Sequence, residues 1–346
     1  MRFPLLGAAL AMAVAAAAPA SAQAPADTVE AIRARGHLLC GVSPGAPGFA
    51  VQDNRGAWRG FEVDYCRAVA SVVLGDASKI RVVQAPAARR FEMLERGEVD
   101  LLTRNTSWTI ERDVGSNVAF AGITYYDGQG FLVRSETGIN RVQQMDGLKV
   151  CVEASTTSEQ NLTDYARNMR IRLTIVPTQN AEAARAAFLG QHCDVLTSDT
   201  TLLAGFRQAQ GSRANRYTLL TEVISKEPLG IVVRKSDPRF FDLVRWTHFA
   251  LLTAEELNVG SDTVEELRSR TGSDLSGASA AMGRFFGRTG ESGRLLRTDP
   301  DWAARMVRQV GNYREIWERN FGPLGLQRGL NLLWNQGGLH YAPPMR

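Results

Sequence analysis

Short apolar runs alternate with amphipathic segments in the first part of the chain, and this alternation predicts the fold. Apolar runs at 37–42, 79–84 and 99–102 are typical of buried strands, whereas 64–74 and 87–96 carry apolar residues at helical spacing. Strands that alternate with helices predict βαβ units around a mainly parallel sheet.

The same rhythm restarts after a glycine-containing segment at 120–134, which we expect to cross out of the first lobe. New strand patterns follow at 148–153, 173–177 and 193–199, again separated by helical patterns. A second candidate crossing lies at 226–230, just before another apolar run. Two crossings favour a chain that leaves a first lobe, builds a second and returns.

The remainder of the chain has a different character. Residues 241–252 and 302–321 are apolar at helical spacing, whereas 261–293 is polar and rich in glycine. The tail at 330–344 is apolar again. We expect this tail to dock on the first lobe.

Composition and charge narrow the class of protein. The chain has 346 residues, 44% hydrophobic and 22% charged, which is long enough for two lobes with separate cores. The formal charge is +4, but the Lys and Arg residues are scattered, so a nucleic-acid partner is not indicated.

The N-terminus has the pattern of a secretory signal over residues 1–22. Arg2 precedes an apolar stretch at 5–18, and small residues at 20–22 predict cleavage before Gln23. No later segment carries the long uncharged run of a membrane span. We therefore expect an exported, periplasmic chain whose mature form does not insert into a membrane.

Four cysteines, an even number, are expected to form disulfides in an oxidising compartment. They are Cys40, Cys66, Cys151 and Cys193, which allow three pairings. A two-lobe fold would favour the local pairs Cys40–Cys66 and Cys151–Cys193. A metal site is the rival interpretation, but the chain lacks a C-x-x-C motif and its four His are scattered.

A candidate anion site lies where a predicted strand at 99–102 turns polar before a helix start. Thr109 is a plausible N-cap, and the N-terminus of a helix favours negative charge. Arg112 can clamp a planar carboxylate through two N–H groups. The alternative is an ordinary strand-to-helix turn with a surface arginine.

Seven blocks of this sequence resemble the family 3 extracellular solute-binding proteins, which deliver substrates to ABC importers. The blocks are G-F-E-V-D-Y-C-R-A-V-A (60–70), R-F-E-M-L-E-R-G-E-V-D (90–100), T-R-N-T-S-W-T-I-E-R (103–112), Y-Y-D-G-Q-G-F (125–131), S-K-E-P-L-G (225–230), G-N-Y-R-E-I-W-E-R-N-F-G-P (311–323) and W-N-Q-G-G-L-H-Y-A-P-P (334–344). The last three are similar to the general L-amino-acid-binding members. The resemblance covers essentially the whole mature chain.

The resemblance implies an α/β fold of two Rossmann-like lobes joined by a two-strand hinge, the type II periplasmic binding protein arrangement, with a helical C-terminal extension. The implied divisions are a signal peptide at 1–22, lobe 1 at 23–126, lobe 2 at 127–225, a return to lobe 1 at 226–250 and an extension on lobe 1 at 251–346. Binding would occur by closure of the lobes.

The resemblance also implies a set of ligand-binding residues. Arg112 matches the family's α-carboxylate ligand and Asp199 the acid that holds the α-ammonium. The polar contacts between them would be Asn105 and Ser107 from lobe 1, and Thr156 and Thr157 from lobe 2. The chemistry agrees, because a zwitterion needs a cation and N–H donors at one end and a carboxylate at the other.

The residues that would read the ligand's side chain are less well defined. Arg90 matches an arginine of glutamate and aspartate binders and would pair with a side-chain carboxylate of the ligand. The alternative is that Arg90 is an ordinary residue on a helix surface. The same two alternatives apply to Arg104. Phe49, Tyr126 and Trp108 are candidates for the pocket wall, although buried core aromatics are commoner.

Selectivity is indicated by one departure from the family. Ser43 stands where members selective for cationic ligands carry an acid, so we expect a preference for neutral and acidic L-amino acids. The expected partners are that ligand and the permease subunits of an ABC transporter. We expect a monomer without cofactor or metal.

Two other functions fit the same scaffold. A periplasmic enzyme, for example a dehydratase, would need a general acid or base in the cleft, for which Asp199 and Glu153 are candidates. The sensing domain of a receptor is disfavoured because no membrane span follows. Recovery of unchanged ligand distinguishes a carrier from an enzyme.

Overall fold

The computed structural model describes residues 27–271 and 278–346. The predicted signal peptide lies outside the described residues, as does part of the polar segment at 261–293. The strands of the described residues are β1 (Leu38–Val42), β2 (Val51–Gln52), β3 (Trp58–Arg59), β4 (Ile80–Gln84), β5 (Leu101–Leu102), β6 (Val118–Asp127), β7 (Gln129–Arg134), β8 (Lys149–Glu153), β9 (Thr174–Thr178), β10 (Val195–Asp199), β11 (Tyr217–Leu219) and β12 (Glu227–Arg234).

Helices cover both sheets and form most of the C-terminal third. They are α1 (Thr28–Arg35), α2 (Phe61–Leu74), α3 (Arg90–Glu95), α4 (Ile110–Gly115), α5 (Thr157–Met169), α6 (Ala181–Leu189), α7 (Thr200–Ala209), α8 (Pro238–Glu256), α9 (Val264–Arg270), α10 (Ala278–Phe285), α11 (Ser292–Leu296), α12 (Trp302–Val310) and α13 (Tyr313–Phe321).

Two five-stranded sheets define the two lobes, which confirms the predicted α/β fold class. The first has the order β4-β1-β5-β12-β6 and the second β11-β7-β10-β8-β9. Both sheets are mixed, whereas the sequence predicted mainly parallel sheets. The βαβ units supply the parallel pairs, whereas β12 is antiparallel to β5 and β6, and β7 is antiparallel to β10 and β11.

The chain crosses between the lobes twice, at points that lie side by side. It leaves the first sheet at Asp127, the last residue of β6, and returns at Glu227, which is paired with Asp127 in the register of β6 and β12. Gly128 allows this close approach, because a Cβ there would lie 2.2 Å from Val223 Cγ1 and 2.9 Å from Ser225 O. The hinge thus consists of two adjacent segments, as the resemblance implies.

Glycines explain two places where the observed helices differ from the predicted ones. Helix α2 begins at Phe61 rather than at residue 64, after Gly60 with φ 133°. A Cβ on Gly60 would lie 2.0 Å from Phe49 O, so this turn requires glycine. The single pattern at 302–321 is two helices, α12 and α13, because Gly311 has φ 93° and ends the first.

The C-terminal extension packs against helix α2 of the first lobe. The ring of Phe61 lies 5.9 Å from that of Tyr313 and 5.2 Å from that of Phe321, measured between centroids. The buried Asp64 accepts hydrogen bonds from Arg319 and from Asn320, the latter at 2.7 Å. Lobe 1 and the extension therefore share one apolar core.

The predicted disulfide pairing is confirmed. One bond joins Cys40 in β1 to Cys66 in α2, and the other joins Cys151 in β8 to Cys193 just before β10. Each lies within one lobe, so neither restrains the hinge. Within 27–271 and 278–346, no helix is long and apolar enough to cross a membrane, and no cluster of His, Cys, Asp and Glu could hold a metal ion.

Candidate ligand-binding cleft

A cavity lies between the two lobes, with about 400 Å³ of empty space when its opening to solvent is included. Lobe 1 contributes Arg90, Arg104, Asn105, Ser107 and Arg112 to its wall. Lobe 2 contributes Glu153, the start of α5 at 156–158, the end of β10 at 197–199, and Leu202.

The lobe 1 wall is the polar segment that follows the short strand β5. Thr109 caps helix α4 as predicted, since its Oγ1 accepts a hydrogen bond from Arg112 N at 3.3 Å. Arg112 then turns back, and its Nη1 donates to Ser107 O at 2.9 Å. Helix α4 has only six residues, so the guanidinium rather than a helix dipole supplies the positive charge here.

The lobe 2 wall includes the N-terminus of a longer helix. Thr156 caps α5 as predicted, because its Oγ1 accepts from Glu159 N at 3.3 Å. The Glu159 carboxylate accepts from Ser155 N at 2.9 Å, one residue before the position that the capping-box pattern predicts. The cavity is thus bordered by the start of a 13-residue helix, where unpaired N–H groups favour an anion.

Asp199 stands at the end of β10 and lines the same cavity as Arg112, from the other lobe. Burial raises the pKa of its carboxyl well above the ordinary value, and the negative charges of Asp127 and Glu227 add to the shift. Asn105 Nδ2 donates to it at 2.8 Å from lobe 1. A cationic ligand group beside Asp199 would compensate for this unfavourable burial of negative charge.

Two further arginines are buried in the cavity wall. Arg90 and Arg104 are 3% and 5% exposed, and neither Nε has a hydrogen-bond partner among the described residues. Burial lowers the pKa of Arg90 to about 8, with smaller contributions from the neighbouring charges of Arg104 and Arg112. Buried arginine N–H groups without hydrogen-bond partners are costly, so this wall is suited to an anionic ligand group. The sequence alone had not decided whether these two arginines contact a ligand or are ordinary surface residues.

The lobes touch each other beside the cavity, so the conformation is closed. Ser107 Oγ lies 3.2 Å from Thr157 Oγ1, which brings together two predicted site residues. On lobe 1, Tyr125 Oη lies 2.8 Å from Thr201 Oγ1 of lobe 2. These contacts join the lobes along one side of the cleft.

Sequence reasoning missed Glu227, which is 1% exposed at the hinge. Its Oε2 accepts hydrogen bonds from the hydroxyl of Ser107 and, at 3.1 Å, from that of Thr157. Its Oε1 accepts from Asn161 Nδ2 and from Ser225 Oγ, both at 2.8 Å. The only sequence signal was its place in a predicted crossing, which does not show what the side chain would meet.

The aromatic residues suggested for the pocket wall do not line this cavity. Phe49 is 1% exposed and packs in the lobe 1 core, with its ring 5.0 Å from that of Phe321. Tyr126 lies on the hinge strand, where its hydroxyl reaches Leu339 O at 3.5 Å. Trp108 stacks on a core phenylalanine. Apart from Leu202, the cavity is lined by polar and charged groups instead.

Comparisons with known proteins agree with this architecture. Residues 38–323 match the family described as bacterial extracellular solute-binding proteins, family 3. The general L-amino acid-binding periplasmic protein of Rhizobium johnstonii is 42% identical over 328 residues, covering 93% of this chain and 94% of that protein. A glutamate/glutamine/aspartate/asparagine-binding protein of Rhodobacter capsulatus is 40% identical over 326 residues, covering 93% and 94%.

A solved structure gives a similar result over nearly the whole chain. It is an ABC transporter periplasmic binding protein from Brucella ovis with glutathione bound, 44% identical, with a TM-score of 0.88 over 92% of this chain and 99% of that one. A cysteine-binding protein from Campylobacter jejuni, 22% identical with a TM-score of 0.58, shares the fold. The chain therefore belongs to family 3 of the bacterial extracellular solute-binding proteins.

Proposed function

We propose that this protein captures L-amino acids in the periplasm, with preference for those that carry an acidic side chain, and delivers them to the permease of an ABC transporter. Relatives that cover more than nine-tenths of the chain are named as amino-acid-binding proteins, which supports this ligand class. The predicted signal at 1–22 and the two disulfides are consistent with export.

The presence of Arg112 from lobe 1 and Asp199 from lobe 2 in the wall of one cavity carries the proposal. Arg112 and the N-terminus of α5 would hold the α-carboxylate, and Asp199 would hold the α-ammonium. The two charged side chains belong to different lobes, so one zwitterion engages both only when the cleft is closed. Ligand binding therefore stabilises the closed state, which is the state that a permease can distinguish from the open one.

The two buried arginines support the preference for acidic side chains. Once Arg112 is assigned to the α-carboxylate, Arg90 and Arg104 still line the cavity, and the Nε of each has no hydrogen-bond partner among the described residues. A side-chain carboxylate would pair with them and remove much of the cost of their burial. An amide side chain would satisfy their N–H groups without neutralising the charge, so glutamine should bind more weakly than glutamate.

Glutathione is a second candidate ligand, favoured by the Brucella ovis structure. Its γ-glutamyl end carries a free α-ammonium and α-carboxylate, which present the same zwitterion to Arg112 and Asp199. Its distal glycine carboxylate could reach the same buried arginines. Both candidates therefore use one clamp and differ in what fills the rest of the cavity.

Calorimetry against the common L-amino acids and glutathione tests the proposal. We expect one site per chain, tighter binding of glutamate and aspartate than of lysine and arginine, and recovery of the ligand unchanged by mass spectrometry. Absence of binding by every amino acid and by glutathione would contradict the carrier function. Conversion of the ligand during incubation would favour an enzyme that uses Asp199 or Glu153.

A further inference from the structure

A chain of hydrogen-bonded side chains runs from the core of lobe 1 to the cavity wall of lobe 2. Glu62 Oε1 lies 2.8 Å from Ser43 Oγ, which lies 2.5 Å from Asn105 Oδ1. Asn105 Nδ2 lies 2.8 Å from Asp199 Oδ2. Glu62 and Ser43 are 1% and 3% exposed, so water does not donate or accept hydrogen bonds at the lobe 1 end of this row. Each distance is that of a true hydrogen bond, and each bond needs one hydrogen.

The number of hydrogens on this chain is too small if both acids are ionised. The three bonds of the chain need three hydrogens. The Ser43 hydroxyl supplies one, and the Asn105 amide supplies one, because only its nitrogen end carries hydrogens. A carboxylate supplies none. One further proton must therefore lie on Glu62 or on Asp199.

The assignment of the Asn105 amide does not change this count. With Nδ2 towards Asp199, the Ser43 hydroxyl must donate to Asn105 Oδ1, and Glu62 must then donate to Ser43. With the amide turned over, Nδ2 donates to Ser43 and Ser43 donates to Glu62, so Asp199 must be the acid that donates. The extra proton sits at one end of the chain or at the other.

We propose that closing the lobes on a ligand places this proton on Glu62, which makes Glu62 a positioning residue for Asp199 through Ser43 and Asn105. The inference rests on the proposed function, since the ammonium of an amino acid needs Asp199 ionised. With Asp199 ionised, the amide must donate to it, and the count then requires a neutral Glu62. A neutral Glu62 thus holds Asn105 in the orientation that supports the ligand's acid.

The same row of hydrogen-bonded side chains needs no extra proton when the lobes are apart. Glu62, Ser43 and Asn105 all belong to lobe 1, and only the bond to Asp199 crosses the cleft. In the open state the amide turns over and donates to Ser43, while Ser43 donates to an ionised Glu62. Closure reverses both bonds, and Glu62 takes up one proton from the solvent.

The charges around the two acids are consistent with this assignment. Burial is the largest effect on Glu62 and raises its pKa from 4.5 to about 7, although the backbone N–H groups of Ser43 and Asn105, which donate to its carboxyl, and the charge of Arg104 oppose the shift. Asp199 faces Asp127, Glu227 and Arg104. A bound ammonium adds a positive charge beside Asp199 but none beside Glu62, so the ligand moves the proton to Glu62.

Proton uptake on binding measures this directly. L-glutamate is titrated calorimetrically in two buffers of different ionisation enthalpy, into the unchanged protein and into Glu62→Gln. Between about pH 5 and about pH 7 the unchanged protein should take up more protons per ligand, because Glu62 is ionised when open and neutral when closed. Its affinity should fall with rising pH in the same window, by up to about tenfold per pH unit.

Two variants separate this effect from others. Glu92→Gln on the exposed face of α3 is the matched control and should behave as the unchanged protein. Ser43→Ala cuts the chain without altering either acid and should abolish the extra uptake as Glu62→Gln does, so it serves where Glu62→Gln fails to fold. In ligand-bound protein labelled with ¹³C at glutamate carboxyls, the Glu62 resonance should titrate near pH 7.

Equal proton uptake by the unchanged protein and both variants would overturn the inference. A Glu62 resonance that shows an ionised carboxylate down to about pH 5 in the complex would overturn it as well. Those results would leave the carrier function standing, because the ligand would still bind. Absence of binding by any amino acid would instead contradict the proposed function, and the inference with it.

Discussion

The side-chain amide of Asn331 pairs with both backbone polar groups of Tyr126. Asn331 Oδ1 accepts from Tyr126 N at 2.7 Å, and its Nδ2 donates to Tyr126 O at 2.9 Å. Tyr126 lies in β6, the edge strand of the first sheet and one of the two hinge strands. The C-terminal tail thus takes the place of a neighbouring strand next to the point where the chain leaves lobe 1.

Asn331→Ala should therefore destabilise the protein. Asn331 is 3% exposed, and its loss leaves two backbone groups of Tyr126 without partners, which typically costs about 1–3 kcal/mol for each buried group. Thermal unfolding followed by circular dichroism measures the effect. Asn335→Ala, on the exposed part of the same tail, is the matched control. Equal melting temperatures for the two variants would show that the tail does not brace the hinge strand.

Arg112→Ala should weaken binding of every amino acid. The substitution removes the cation for the α-carboxylate, and truncation of one partner of a buried charge pair costs about 2–5 kcal/mol. Calorimetry on several ligands measures the loss, with the 61% exposed side chain of Arg96 providing a control variant, Arg96→Ala. Unchanged affinity for all ligands would remove Arg112 from the site.

Arg90→Met should distinguish ligands by their side chains. We expect a larger loss of affinity for glutamate than for glutamine, because only glutamate offers a carboxylate to this wall of the cavity. The ligand-free protein should become more stable, since a buried charge whose Nε has no hydrogen-bond partner is removed while the apolar volume is kept. Losses of equal size for the two ligands would mean that Arg90 does not read the side chain.

Asp199→Asn should raise the melting temperature of the ligand-free protein while it abolishes tight binding. The raised pKa of Asp199 means that the folded state disfavours its ionised form. This unfavourable contribution is absent below the ordinary pKa, grows as the pH rises from there to the folded pKa and is present in full above it, so the gain from Asn should grow with pH. Scanning calorimetry at several pH values measures the gain.

Asp164→Asn, on the exposed surface of α5, is the control for that experiment. A melting temperature lowered by Asp199→Asn at every pH would show that Asp199 stabilises the empty cleft and is not held there for a ligand. A gain without any dependence on pH would mean that its ionised form carries no penalty.

Local sequence patterns were sufficient to predict most of the helices and strands and their order along the chain. Strands such as β1 and β10 and helices such as α1 and α6 follow from apolar spacing, because a buried strand or helix face repeats with its own period. The two crossings near Gly128 and Ser225 follow in the same way. The N-caps Thr109 and Thr156 were predictable because a cap bonds within its own turn.

The candidate site was predictable only in part. Arg112 was predicted from the strand-to-helix pattern and Asp199 from the family resemblance, and both line one cavity. Phe49 was misplaced because an aromatic residue in a loop is equally compatible with a pocket wall and with a core. Arg104 could not be assigned, since its meaning depends on which charges of the other lobe come near it.

From the sequence, then, came the alternation of strands and helices with its two crossings, the local disulfides and Arg112 as a carboxylate clamp, while the family resemblance added the two-lobe hinge fold and Asp199. The tertiary structure alone decided that Glu227 joins the lobes, that Asn331 supports the hinge strand and that Glu62 connects to Asp199. Glu227 lies 120 positions along the chain from Ser107, Asn331 lies 205 from Tyr126, and Glu62 lies 137 from Asp199. A polar side chain gives no periodic signal of its distant partner, because its hydrogen bonds depend on how whole lobes are placed.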